Sequence, residues 1–293
     1  MERKSFEELN LSNAFLFSAA MEDSETCQLA LECILDRHVG NVKVRTEYNV
    51  LYNNEFKCIR LDVLGQDELE VTYDLEMQNK DEKNLPKRSR YYQAELDLAG
   101  LKPGEDYEDY EDLKPLYVIF ICNFDPFGKN LCRYTFEMQC VEKSFPLDDG
   151  VKRIFLNIKG EDKEGISEAL KEFLGYLNNS TDSYIEKVKD KKVKRIHEKV
   201  KELKRKRNLE AGYMYLEELL QDSYKDGQRE GREKAFLDGI KVLIKILCNF
   251  LPDVESIYRN ITANEIYKNV TREQIEACYN EIMAESKNNS KSK

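Results

Sequence analysis

Hydrophobic residues recur along this chain with two different periods. Cys27, Leu31, Ile34 and Leu35 step by three and four behind Ser24, a residue suited to cap a helix, and predict helical structure over 5–37. Between 42 and 78 the period drops to two. Val42-Val44, Tyr48-Val50-Tyr52 and the runs 57–64 and 70–78 are short and rich in β-branched and aromatic residues. With turn residues at Asn53-Asn54 and around Gly65, they predict an antiparallel meander. Helical spacing returns with Leu85, Arg88, Tyr92, Leu96 and Ala99, and Gly100 closes that segment. The unbroken apolar run 115–124 suits a strand at a sheet centre. Two further strands are predicted over 134–141 and 153–157, and an amphipathic helix over 165–177.

From about Thr181 glycine, proline and aromatics thin out and Lys, Arg and Glu dominate. This divides the chain into an α/β domain over 1–180 and a helical C-terminal region over 181–293. Val193, Ile196, Val200 and Leu203 form a narrow helical seam. Around it, residues 187–207 carry twelve Lys/Arg against three Asp/Glu. That run is either a phosphate-binding strip or the solvated side of a packed helix. His197 within it reads as a surface residue. Gly227 and Gly231 interrupt a polar helix, marking close packing in a homodimer or a linker. Apolar helices are predicted near 237–251 and 273–284, before a tail, SKNNSKSK, with the composition of a disordered segment.

Composition narrows the function classes. A net charge of −10 argues against a general nucleic-acid coat, although it leaves room for local basic patches. Eight cysteines form no C-x-x-C pair and only two histidines accompany them, which disfavours a zinc site. A chain this long with no apolar leader in MERKSFEELN predicts reduced thiols in a cytoplasmic protein. Its most apolar segments are strand length or carry Lys241 and Lys245, so no membrane span is expected.

The candidate chemistry lies in IRLDVL (59–64) and YDLEMQNK (73–80). Leu61 and Val63 share one face of the first strand, and Arg60 and Asp62 the other. On the second, Tyr73, Leu75 and Met77 oppose Asp74, Glu76, Gln78 and Lys80. With the right register, Asp62, Glu76 and Gln78 converge on one surface. They are then either exposed strand carboxylates or a cation site, because adjacent acids are costly without a neutralising charge. Oxygen donors with no nearby His or Cys favour Mg²⁺ or Mn²⁺. In KRSRYYQ (87–93), Arg88 shares a helix face with Tyr92, and Lys87 with Tyr91, while Arg90 lies on another side. The tyrosines suit a core or a base-stacking surface, and the arginines surface ion pairs or phosphate contacts.

An Asp followed about a dozen residues later by Glu-x-Gln resembles the core of the PD-(D/E)XK phosphodiesterases, with Gln78 where lysine is usual. The ordered set LSNAFLF (11–17), RLDVLGQDE (60–68), YDLEMQNK (73–80), LPKRSRYYQAELD (85–97), LKPGEDYEDYEDLKPLYVIFICNFDPF (101–127) and GQREGRE (227–233) resembles the recombination-promoting nuclease (Rpn) family. That family is also described as PD-(D/E)XK nuclease family transposases, and the likeness covers about 8–235. It implies an α/β, restriction-endonuclease-like core, a mixed central sheet flanked by helices, with a helical C-terminal region. It also implies a Mg²⁺- or Mn²⁺-dependent DNA endonuclease linked to recombination or transposition. In that scheme Asp62, Glu76 and the Met77 carbonyl hold the metal, and Gln78 orients the attacking water. Glu47 is an accessory acid. Lys80, Arg88, Arg90, Tyr91 and Tyr92 contact DNA, and the C-terminal helices can form a homodimer. The alternative is a catalytically silent module of the same fold that oligomerises through its helical C-terminus. RNA processing is a third class, for which the chain lacks a sheet surface of paired aromatics.

Overall fold

The computed structural model describes residues 4–50, 59–100, 110, 113–248, 250–251 and 253–291. The expected Asn53-Asn54 turn, the start of the second strand at 57–58 and nearly all of the acidic run 104–112 lie outside the described residues. Two compact units divide after Tyr213.

The first unit opens with a 3₁₀ turn at Phe6–Glu8, then α1 (Ala14–Met21) and α2 (Ser24–Leu35). The α2 cap is Asp23 rather than the expected Ser24. Its carboxylate accepts from the Thr26 amide at 2.9 Å and the Thr26 hydroxyl at 2.8 Å, so the charged acceptor one residue earlier caps the helix. The period-two segment forms β1 (Lys43–Val50), β2 (Ile59–Gln66) and β3 (Thr72–Gln78). The first two short apolar runs merge largely into the single strand β1. Next come α3 (Leu85–Gly100), β4 (Leu116–Cys122), β5 (Arg133–Phe136), β6 (Val151–Asn157), α4 (Glu168–Asn178), α5 (Asp182–Ile185) and α6 (Lys191–Lys204).

The six strands form one mixed sheet in the order β1-β2-β3-β4-β6-β5. β1, β2 and β3 pair antiparallel. β3 pairs parallel with β4, and β4 with β6. Parallel neighbours need a crossover, and α3 supplies it between β3 and β4. Each face of the sheet carries its own core. Tyr73, Leu75, Met77, Ile119 and Ile121 pack with Leu31, Ile34 and Phe173 on one side. Val118, Phe120, Cys122 and Phe155 pack with Leu85, Tyr92 and Leu96 of α3 on the other. The register Asp74↔Val118, Glu76↔Phe120 and Gln78↔Cys122 then puts the polar residues of β3 on the α3 side.

The basic helix α6 buries Val193, Ile196 and Val200 against the first core. Several of its cations meet acids of the same unit: Arg195 bonds Glu25 at 2.8 Å, Lys199 bonds Glu25 at 2.7 Å and Lys201 bonds Asp182 at 2.8 Å. His197 is not at the surface. It is 6 % exposed, with Nδ1 3.1 Å from the Tyr176 hydroxyl and Nε2 2.8 Å from Asp182. It faces the seam because it follows Ile196 and sits four residues after Val193.

α7 (Arg207–Leu247) runs unbroken through Gly227 and Gly231, which therefore do not interrupt it. Each glycine costs a helix about 1 kcal/mol relative to alanine, too little to break 41 residues. In the second unit, the end of α7, α8 (Val254–Thr262) and α9 (Arg272–Lys291) enclose a core of Ile240, Ile244, Ile257, Ile261 and Ile275. Among the described residues, no helix is long and apolar enough to cross a membrane, and seven cysteines are free thiols, most of them buried.

Candidate active site

The β2–β3 ladder is closed at its turn and open at its other end. The register runs from Gln66↔Thr72 to Val63↔Leu75 and goes no further. Beyond it, side chains replace the ladder. The Asp62 amide donates to Glu76 Oε1 at 2.9 Å, and the Met77 amide donates to Asp62 Oδ2 at 3.0 Å. The two acids thus brace the splayed strands, each holding a backbone amide of the other's strand. The amide and carbonyl of one strand residue point the same way. The Met77 carbonyl therefore faces the gap toward Asp62, while the next carbonyl, of Gln78, accepts from the Asn123 amide of the β4 side at 2.9 Å.

α3 supplies the cation. Arg88 donates from Nη2 to Glu76 Oε2 at 2.9 Å, from Nη1 to Gln78 Oε1 at 3.0 Å and from Nε to the Tyr92 hydroxyl at 2.8 Å. Its guanidinium lies 5.0 Å from the Tyr92 ring centre and 5.6 Å from that of Phe120, a second hold on the same charge. The spacing Arg88–Tyr92 is one helical turn, so both reach the sheet from one face of α3. Because arginine only donates, the Gln78 atom that meets it is the carbonyl oxygen, and the amide NH₂ points elsewhere.

Burial sets the electrostatics. Glu76 has no exposed surface. Desolvation, then the nearby Asp62 charge, pushes its pKa up to about 8, against the pull of the Asp62 amide and Arg88. Asp74, two residues earlier on the same face, is also fully buried. Its pKa is driven well above the usual carboxylate range by burial first and then by Glu76 and Asp62. No amide, hydroxyl or guanidinium donates to either Asp74 oxygen. Its polar neighbour is the Glu76 carboxyl, to which a protonated Asp74 donates.

Asp62, Glu76 and the Met77 carbonyl form an all-oxygen donor set. It suits a hard divalent cation that binds through one or two carboxylates and keeps waters in its remaining positions. Among the described residues, no three His, Cys, Asp or Glu side chains are drawn together as a ready cage. The cation would share Glu76 with Arg88.

A family model for PD-(D/E)XK nuclease family transposases matches residues 14–245. The chain belongs to this family. The match takes in all six strands, α1 to α6 and nearly the whole of α7. No curated protein and no solved structure matches the chain. Within this nuclease-family fold, Asp62, Glu76, Gln78 and Arg88 are gathered on one side of the sheet. Tyr92 is 7 % exposed, packed against Phe120 with ring centres 6.0 Å apart. Lys80 and Arg90 are exposed and Tyr91 is half-buried. The side chain of Glu47 lies outside the described residues. Asp74 was not among the expected site residues, although its alternation with Glu76 puts it on the same face. Its full burial depends on α3 covering that face, which the strand pattern alone does not convey.

Proposed function

We propose that this family member is a cytoplasmic, divalent-cation-dependent DNA endonuclease that hydrolyses phosphodiester bonds in recombination or transposition. The observation that carries the reading is the open end of the β2–β3 hairpin. There two acids on adjacent strands, Asp62 and Glu76, each accept from a backbone amide of the other's strand beside a half-buried arginine. A structural ion pair needs one acid. A second one, held close enough to raise the pKa of the first, fits the task of gripping a cation.

In this reading Asp62, Glu76 and the Met77 carbonyl hold Mg²⁺ or Mn²⁺. When bound, the cation acidifies water and offsets the charge that builds on the phosphorus oxygens. The chain's own groups do the rest. Gln78, its carbonyl pinned by Arg88, turns its amide NH₂ toward the nucleophile or a phosphate oxygen. Arg88 supplies the positive charge that glutamine cannot, one guanidinium serving both Glu76 and the scissile phosphate. Tyr92 holds Arg88 in place instead of stacking on a base. Lys80, Arg90 and Tyr91 contact the DNA strand, with Glu47 as an accessory acid. The second unit leaves Leu216, Leu220 and Tyr224 exposed along α7, which supports a homodimer formed through the C-terminal helices. Sedimentation of the full chain tests that, and a monomer at micromolar concentration refutes it.

The test of activity is conversion of supercoiled plasmid to nicked and linear forms by purified protein with Mg²⁺, with Asp62→Ala and Glu76→Ala in parallel. Cleavage by wild type and loss in both variants supports the reading. Equal cleavage by all three would trace the activity to a contaminant.

A further inference from the structure

The outer strand β5 runs on into a hairpin arm. Past Phe136, the Leu147 amide donates to the Met138 carbonyl at 2.8 Å, the Cys140 amide donates to the Phe145 carbonyl at 2.8 Å, and Gln139 pairs with Pro146. Alternation and cross-strand pairing put Phe136, Met138, Cys140, Phe145 and Leu147 on one face, and Glu137, Gln139 and Pro146 on the other. The apolar face carries on from the α3-side core. The Phe136 ring centre lies 5.1 Å from that of Phe127 and 5.8 Å from that of Phe155. Beyond Phe136 the face continues uncovered: Met138, Phe145 and Leu147 are 63, 55 and 62 % exposed, and Val141 at the tip is 90 % exposed. Other exposed apolar side chains of this unit, such as Leu69 and Leu98, stand singly. A hairpin with one apolar face is patterned to pack on something, and a patch of this kind marks an interaction surface. The arm is no place for DNA, because residues 137–149 carry four acids against Lys143. It also lies far from the acid site. β6 begins at Val151, level with Leu116 and Thr72, whereas the site lies at the Glu76 and Gln78 end of the sheet.

We propose that this arm packs face to face on the arm of a second copy of the chain, the two hairpins antiparallel about a twofold axis, tip over base. The face suits its own copy because it holds no charged side chain to bury. The charges at its two ends complement each other. Lys143 at the tip and Asp148 and Asp149 at the base are exposed, and no ion pair within the chain engages them among the described residues. Tip over base sets each Lys143 beside the acids of the other copy, and the symmetry makes that contact twice. Phe136, Met138, Val141, Phe145 and Leu147 each leave about 100 Å² in water, about 500 Å² per copy and about 1,000 Å² for a pair, which reaches the threshold of a specific interface. The contact is separate from the one proposed through α7 and does not depend on the cation reading. It leaves both acid sites open, since each lies at the other end of its sheet.

The test is sedimentation equilibrium of the full chain carrying Leu220→Glu, which takes the α7 contact out of play. This chain is expected to dimerise reversibly at high micromolar concentration. Adding Met138→Glu and Leu147→Glu should weaken the dimer at least tenfold, as for residues at the centre of an interface. Lys143→Glu alone should weaken it less, and Lys143→Glu together with Asp148→Lys and Asp149→Lys should restore it, because each tip again meets the opposite charge. Amide exchange over 138–147 should slow as the concentration of the Leu220→Glu chain rises, a readout that needs no change in the arm. A Leu220→Glu chain that stays monomeric, or a dimer indifferent to the arm substitutions, overturns the proposal. A charge swap that fails to restore the dimer overturns the tip-over-base pairing. A monomer that floats with phosphatidylcholine vesicles, and no longer does so with Met138→Glu and Leu147→Glu, gives the face to a lipid surface and overturns the second copy as its occupant.

Discussion

The β2–β3 hairpin carries buried acids at both ends, and the two ends are built to opposite rules. At the turn, Asp67 collects two amides and the Tyr73 hydroxyl, and Arg37 Nη2 donates in turn to that hydroxyl at 2.9 Å. Every bond there holds the turn shut. At the open end, Asp62, Asp74 and Glu76 crowd together beside Arg88, and no amide, hydroxyl or guanidinium donates to Asp74. The first arrangement is what a fold needs from a buried carboxylate. The second crowds acids together beside one guanidinium, which is poor for folding and suited to holding a cation and a phosphate, so the crowding of like charges separates the two ends.

Substitutions should separate the two ends. The largest effect is expected at the open end. Asp62→Ala or Glu76→Ala should slow plasmid cleavage about 1,000-fold, equivalent to several kcal/mol of transition-state stabilisation, while the protein stays folded by circular dichroism. Asp67→Ala should do the reverse. It leaves the Tyr73 hydroxyl and two amides without their acceptor, costing about 3 kcal/mol of stability in denaturant melts, and Mn²⁺ affinity of the folded fraction should not change. Equal effects of Asp67→Ala and Glu76→Ala on stability and on Mn²⁺ affinity would erase the contrast.

A smaller effect follows from protonation. Burial and Asp62 raise Glu76 from about 4.5 to about 8 in the folded chain. Between those values the folded state keeps a proton that the unfolded chain releases. In EDTA, stability should therefore fall as pH rises from about 4.5 to about 8. Melts across that range, repeated for Glu76→Gln, test it, and the variant should show a flatter profile. The smallest effect concerns α6. Arg195 is already engaged by Glu25 and Glu198, at 2.8 and 2.9 Å, so Arg195→Gln should leave DNA affinity within about twofold, as expected for a surface pair. A tenfold loss would restore the basic helix as a DNA-binding strip.

Much of this arrangement was legible in the residue pattern. Period-two alternation put Glu76 and Gln78 on one face of β3, whereas on β2 it does not hold at the open end, where Leu61 packs in the α3-side core and Val63 in the opposite one. The unbroken apolar run before Asn123 predicted a central strand, and the helix beginning at Leu85 predicted the crossover that brings Arg88 over the sheet. What escaped depends on neighbours distant in sequence. Asp74 reads as one more polar residue on an alternating strand until α3 covers it. His197 reads as one more residue of a charged run until Tyr176 and Asp182 meet its ring. The α2 cap fell one residue from its expected place, since Asp23 and Ser24 can both cap and local pattern does not rank them. Gly227 and Gly231 look like a break, and only the length of helix around them outweighs it.

The central claim is that Asp62 and Glu76 hold a common divalent cation. Anomalous diffraction from crystals grown in Mn²⁺, collected at the manganese edge, reads this directly. We expect a single strong peak in the gap between β2 and β3, bonded to a carboxylate oxygen of each acid and to the Met77 carbonyl. A crystal at saturating Mn²⁺ with no peak there, and with Arg88 still on Glu76, would contradict the account.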